Sequence, residues 1–227
     1  MPVMNQEKFL AHIANRLARP RRTRIERPDW SVTPQHELYK DFNEEQLIAM
    51  LEKQCQAIHT TFKRTHRSHL LEVLRETISE YKGKTIITAN DPRNEAYGLT
   101  KLFQDLQDDV ETYIWDERKG CENQKMAERA DIGINFSDIT IAETATVTLF
   151  HNKHNGRSIS ILPKYFIAII PKETIVPRMT QAVQIIREKI AQEEAIPAYI
   201  SFNSGPSNSA DIEMKLIVGV HGPIKAT

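Results

Sequence analysis

The chain has 227 residues, with 30 Lys and Arg against 30 Asp and Glu and only two cysteines. That length suits one domain with an appended arm, and the zero balance excludes a global field that would draw the chain to nucleic acid or an anionic membrane. Cys55 and Cys121 are too far apart for a self-contained iron–sulfur cluster or a four-cysteine zinc site, so neither cofactor nor metal is expected in this chain, and sparse thiols point to a reducing, cytoplasmic compartment.

Met1 to Leu17 mixes Glu7, Lys8, His12 and Arg16 into its apolar positions, unlike a secretory signal, and no apolar run anywhere approaches a membrane span. Phe9, Leu10, Ile13 and Leu17 fall three or four apart, which predicts an amphipathic helix over 6–18. Arg19-Pro20-Arg21-Arg22-Thr23-Arg24, followed by Pro28, Trp30 and Pro34, reads as an extended basic linker. Residues 1–34 are therefore expected to form a helical arm and linker able to support self-association, and 35–227 the domain.

Asn43 and Gln46 form a capping-box pattern, and Leu47, Met50, Leu51, Ile58 and Phe62 carry a helical stripe in which Cys55 is a small buried hydrophobe. His59, His66 and His69 have no further ligand nearby and read as surface residues. Leu70 to Tyr81 predicts a helix stopped at Gly83, Lys84 to Thr88 a buried strand, and Asn90-Asp91-Pro92 a turn. A helix around 99–106, a strand over 110–115, a helix near 123–129 and a strand over 131–135 continue the alternation, which demands a mostly parallel, helix-flanked sheet. From Ile139 the texture changes to successive strands, 139–143, 146–150, 158–162 and 166–170, with Asn155-Gly156 as a hairpin signal between the second and third. A helix starting near Pro177 precedes a strand over Ala198 to Asn203.

Two stretches carry the candidate chemistry. Glu143 closes the strand Ile139–Glu143 among small residues, where a carboxylate can act as base or nucleophile or merely pair with a cation, with Thr144 and Asp138 as supports. After the late strand, Ser204-Gly205-Pro206-Ser207-Asn208-Ser209 forms a hydroxyl-rich turn, with Ser209 placed to cap the segment carrying Asp211 and Glu213. The apolar run Leu216 to Val220 then delivers His221 and Gly222 to a strand end, where open α/β sheets place ligands. No Ser-His-Asp order, phosphate loop or dinucleotide fingerprint accompanies these residues.

The segments Ile139-Thr140-Ile141-Ala142-Glu143-Thr144, Ser204 to Glu213 and Gly219-Val220-His221-Gly222-Pro223 together resemble the LUD-domain family over roughly Glu44 to Pro223. The resemblance implies a fold similar to the NagB/RpiA/CoA-transferase-like α/β group, with an antiparallel hairpin extension here and the N-terminal helical arm in front. It implies a component of a multi-protein system oxidising L-lactate to pyruvate and allowing growth on lactate, in which partner proteins carry the iron–sulfur chemistry. The expected site is one pocket holding Glu143, Asp211, Glu213 and His221 as catalytic residues, and Thr144, Ser204, Gly205, Ser207, Ser209 and Gly222 as ligand-binding ones. The alternative is a free-standing enzyme of a small phosphorylated or CoA-linked substrate using Glu143. Two departures stand out: only Ile224-Lys225-Ala226-Thr227 follows Pro223, where family members run on through another short strand, and Ala145 stands where relatives often carry glycine.

Overall fold

A computed structural model describes residues 5–21, 24, 26, 28–194, 196, 197, 199–211 and 213–227. Of the residues named above, Met1, Arg22, Thr23, Ala198 and Ile212 lie outside the described residues. The chain falls into two units, Met1–Gln35 and His36–Thr227. In the first, helix α1 (Gln6–Arg16) leaves Phe9 and Ile13 exposed, with Leu17 at its C-cap.

In the second unit the elements run α2 (Glu44–Ala57), α3 (Leu70–Glu80), β1 (Thr85–Thr88), α4 (Pro92–Ala96), α5 (Leu99–Asp105), β2 (Glu111–Ile114), α6 (Glu122–Arg129) and β3 (Ile132–Phe136). They continue through β4 (Ile139–Ile141), β5 (Thr146–His151), α7 (Ser158–Ile161), β6 (Tyr165–Ile169), β7 (Ile175–Val176), α8 (Met179–Ala191) and β8 (Tyr199–Ser204). Three short strands follow: β9 (Asn208–Ser209), β10 (Ile217–Val218) and β11 (Lys225–Ala226).

Five strands form a parallel sheet in the order β11-β6-β3-β1-β2. Both faces are covered, which is why its strands read as near-continuous apolar runs. Ile86, Ile132, Ile134 and Ile167 pack with Leu74 and Ile78 of α3 and Leu99, Leu102 and Phe103 of α5. On the other face Ile87 packs with Ala127 of α6 and Ile159 of α7. Gly133 in β3 lies under α7 so closely that a Cβ there would sit 2.0 Å from the Ile159 carbonyl oxygen. The second sheet has the order β7-β4-β5-β8, antiparallel at its two β5 pairings. Val147 and Leu149 join it to Phe166 of β6, while Ile139 and Ile141 meet Ala182 of α8. The expected α/β class, with a parallel helix-flanked sheet and an antiparallel part, is therefore what folds.

Several expectations are corrected. Residues 158–162 are not a strand: Ser158–Ile161 is the helical turn α7, with Pro163 just beyond. A four-residue Ser-Ile-Ser-Ile pattern cannot separate a period of 2 from one of 3.6. The turn after β5 is closed by Asn152 and Asn155, whose backbones exchange hydrogen bonds of 3.2 and 3.1 Å, and Gly156 serves another purpose, since any Cβ there would strike the Trp115 ring at 2.0 Å. Besides β4, the antiparallel partner of β5 is the distant β8. Helix α2 stops at Ala57 rather than running to Phe62: His59 adopts a left-handed φ of 58° and the Thr60 N–H returns to the Cys55 carbonyl at 2.8 Å. Phe62 still packs on the α2 cluster, but from a chain that has already turned. The edge strand that seemed lost after Pro223 is present as β11, paired with β6.

Cys55 lies buried on the inner face of α2, and burial, with some help from Glu52, pushes its thiol up to about 11. Cys121 is exposed. Iodoacetamide applied to the native protein at mildly alkaline pH is therefore expected to alkylate Cys121 and spare Cys55, as read by peptide mass mapping. Modification of Cys55 without denaturant would contradict this packing. No helix among the described residues is long and apolar enough to cross a membrane.

Candidate functional site

Strand β4 ends at Ile141, two residues short of the expected bound, and Ala142–Thr144 make a 3-10 turn before β5. Ala142 and Ala145 press against Leu47, Leu51 and Cys55 of α2, so their small side chains answer a packing need. Ala145 takes φ 47° and ψ 47°, the left-handed region in which glycine is comfortable. An alanine there costs about 1–2 kcal/mol, offset by about 0.8 kcal/mol for the buried methyl, which explains how either residue serves.

The turn fixes Glu143 by both ends. Its N–H donates to the Pro177 carbonyl at 3.1 Å, and its carboxylate accepts from Arg178 Nε at 2.7 Å, where Arg178 is the N-cap of α8. Beside it, Thr144 Oγ1 lies 2.7 Å from Thr146 Oγ1, which lies 2.6 Å from Ser204 Oγ. This line of three hydroxyls crosses from the turn to the end of β8, because Thr146 and Ser204 are register partners.

Gly205 is required twice over: its φ is 68°, and a Cβ would fall 2.9 Å from both the Ile58 carbonyl oxygen and Thr60 Oγ1. Ser207 is the hub of the loop beyond. Its N–H donates to the Pro223 carbonyl at 2.9 Å, its carbonyl accepts from Gly219 N–H at 2.8 Å, and its Oγ accepts from His221 N–H at 3.2 Å. Gly222 fits closely here, its missing Cβ only 3.2 Å from Ser207 Cβ. Between these stitches β9 and β10 pair as a two-stranded antiparallel ribbon. The expected strand Leu216–Val220 is thus only Ile217–Val218 and does not enter the large sheet, so His221 is presented by the ribbon and exposed. Ser209 Oγ donates to Asp211 Oδ2 at 2.8 Å and accepts from the Asp211 N–H at 3.3 Å, while Glu213 pairs with Lys215 at 3.1 Å on the surface.

Thr144 and Ser204 therefore share one cluster, Ser207, Gly222 and the His221 backbone share another, and Gly205 joins the two along the chain. Among the described residues the Glu143 carboxylate contacts Arg178 and none of Ser207, Ser209, Asp211, Glu213 or His221. Among them no group of three or more His, Cys, Asp or Glu side chains is arranged to hold a metal ion.

Sequence reasoning missed Arg178 and Thr146 and two further polar groups, the first of which takes Asp138, expected as a support for Glu143, to Arg93 instead. Arg93 holds Asp91 at 2.7 Å and Asp138 at 2.9 Å, just beyond β1 and β3, where the order β2-β1-β3 reverses direction. Burial raises the Asp138 carboxyl above its ordinary range, against the pull of Arg93 and the Phe150 N–H. The Asp91-Pro92 pair, an N-cap followed by the first helical position, was the available signal. The second group is His151, buried with Nε2 2.7 Å from Ser201 Oγ and Nδ1 3.3 Å from the Asn155 carbonyl oxygen.

Burial lowers the His151 pKa below its ordinary 6.5. Between those two values the unfolded chain binds more protons than the native one, so the stability from neutral His151 is complete above pH 6.5 and declines as pH falls below it. Urea midpoints measured from pH 7.5 down to 5.5 are expected to fall with a steeper slope in the wild type than in His151→Gln. Identical slopes would remove His151 from the account.

The LUD domain profile matches residues 48–227, the whole of the sheet-bearing unit beyond the first turn of α2. The chain belongs to the LUD-domain family. Among LUD proteins it is 51% identical to a Lactate utilization protein C of Oceanobacillus iheyensis, over 100% of this chain and 98% of the relative. It is 47% identical to the Lactate utilization protein C of Bacillus subtilis, over 99% and 95% of the two chains. A crystal structure of a DUF162 family protein from Deinococcus radiodurans aligns with a TM-score of 0.56 at 17% identity, over 82% of this chain and 96% of that one, which supports the fold.

Proposed function

We propose that this LUD protein is a cytoplasmic component of a multi-protein system that oxidises L-lactate to pyruvate and lets its host grow on lactate, with the iron–sulfur chemistry carried by partner proteins. The carrying observation is the end-to-end likeness to relatives named Lactate utilization protein C. The geometry is in keeping with it. Glu143 and Arg178 pair a carboxylate with a guanidinium at the turn whose next residue, Thr144, begins the Thr144–Thr146–Ser204 line of hydroxyls, and a guanidinium and a carboxylate are the partners that a carboxylate and a hydroxyl of one small acid require. The alternative is a free-standing enzyme of a small phosphorylated or CoA-linked substrate using Glu143 as base or nucleophile.

Disruption of the gene tests the proposal. Growth on L-lactate as the only carbon source should be lost, growth on glucose kept, and lactate growth restored by a plasmid copy. Tagged protein from lactate-grown cells should bring down iron-containing partners. Normal lactate growth of the disrupted strain would overturn the proposal, and turnover of an acyl-CoA or sugar phosphate by the purified chain alone would favour the alternative.

A further inference from the structure

Away from the Glu143 turn, a cavity of about 490 Å3 opens at the carboxyl ends of β1 and β2. Its walls are held firmly. The Asn90 N–H donates to the His154 carbonyl at 3.0 Å, and Trp115 Nε1 donates to the Lys153 carbonyl at 3.2 Å, so the 152–155 turn is clamped to both strand ends. Gly156 lies directly against the Trp115 ring and admits it only because it lacks a Cβ. Behind the cavity the fully buried Asn123 receives the Asp116 N–H at 3.2 Å and donates to the Asp116 carbonyl at 2.8 Å, fixing the residue that follows the β2 end.

The two carboxylates of the lining are each paired with a cation. Arg118 is engaged by Asp116 through Nε at 2.9 Å and Nη2 at 2.8 Å, and Glu117 is engaged by Lys153 at 3.3 Å. The hydrogen bonds from Arg118 also hold the Asp116 carboxyl down at about 2, so it is an ionised acceptor at any physiological pH. At the neighbouring α4 the N-cap carboxylate of Asp91 already occupies the backbone N–H of Arg93, leaving no welcome for a phosphate there. What the cavity offers is an aromatic ring with the exposed Ile114 beside it, the carboxylates of Asp116 and Glu117, and the amide of Asn90, with Arg118 and His154 completing the wall. In doubly wound sheets an acidic residue just past the second strand reads the hydroxyls of a ribose.

We propose that this cavity binds a nucleoside, with its base against Trp115 and Ile114 and its ribose hydroxyls on Asp116 and Glu117. The site is independent of the lactate proposal and stands or falls without it. Its ligand is neutral, and its volume lies within the range of small-molecule sites. The full chain carrying Trp30→Phe leaves Trp115 as the fluorophore. Titration with adenosine and with uridine is expected to give saturable quenching by at least one of them, while free ribose and inorganic phosphate at equal concentration give none. Asp116→Asn, and separately Glu117→Gln, should weaken that binding about tenfold with unchanged circular-dichroism melts. Absence of saturation with both nucleosides, equal binding of ribose, competition by phosphate, or full affinity in both variants would each overturn the proposal.

Discussion

Glu143→Gln is expected to abolish growth on L-lactate while leaving the purified protein folded. Glutamine keeps the size of the side chain and its reach to Arg178, and the Glu143 backbone N–H still meets Pro177. The pair is 30% and 25% exposed, so its loss should cost no more than about 1 kcal/mol. In a domain of this size that shifts Tm by about 2–4 °C, readable by circular dichroism. The charge swap, Glu143→Arg combined with Arg178→Glu, separates strut from chemistry. If the pair only braces the turn against α8, the swap restores growth and the chemical role of Glu143 fails. If the carboxylate itself is needed beside Thr144, the swapped protein folds and remains unable to support growth.

The largest effect on stability is expected at Gly133. Alanine there places a methyl carbon 2.0 Å from a backbone oxygen of α7, in the middle of the central strand β3. A backbone clash cannot be relieved by a rotamer change, so either α7 or β3 must move. We expect a loss of about 3 kcal/mol or more, lowering Tm by roughly 10 °C or preventing soluble expression. Gly83→Ala meets the flexible Ile132 Cδ1 at 2.4 Å and should cost less. A Gly133→Ala protein with wild-type Tm would show that α7 is free to shift.

What the amino acids announce locally is what the structure keeps. The Asn43–Gln46 capping box closes as expected, with two hydrogen bonds of 2.9 Å, and the alternation of helix and apolar strand from Leu70 to Phe136 builds the parallel sheet. What depends on partners distant in the chain was hidden. The short α7 takes its form where Gly133 and β3 lie beneath it, β5 pairs with the distant β8 on the side away from β4, and β11 is only two residues whose strand character comes from pairing with Tyr165 and Phe166. In the site, the composition of 204–222 pointed to turns and to Ser207, yet the tie from Ser207 to Gly219 and Pro223 exists only once the ribbon folds back. Arg178 had no local signal, because its role is set by the packing of α8 beside the turn after β4.

The position of β11 bears on how the protein is made. This edge strand is synthesised after all its sheet neighbours, and the last residues also bind backward: Thr61 N–H donates to the Ala226 carbonyl at 2.9 Å, Ala168 N–H donates to the Thr227 carbonyl at 2.9 Å, and the Tyr81 hydroxyl meets Thr227 Oγ1. Until residues 225–227 leave the ribosome, β6 therefore presents an open row of backbone N–H and C=O groups, the kind of border that invites pairing between nascent chains. Within this sheet the β6–β11 seam is the last in chain order to close, and a nascent chain is most open to pairing with a neighbour before it does.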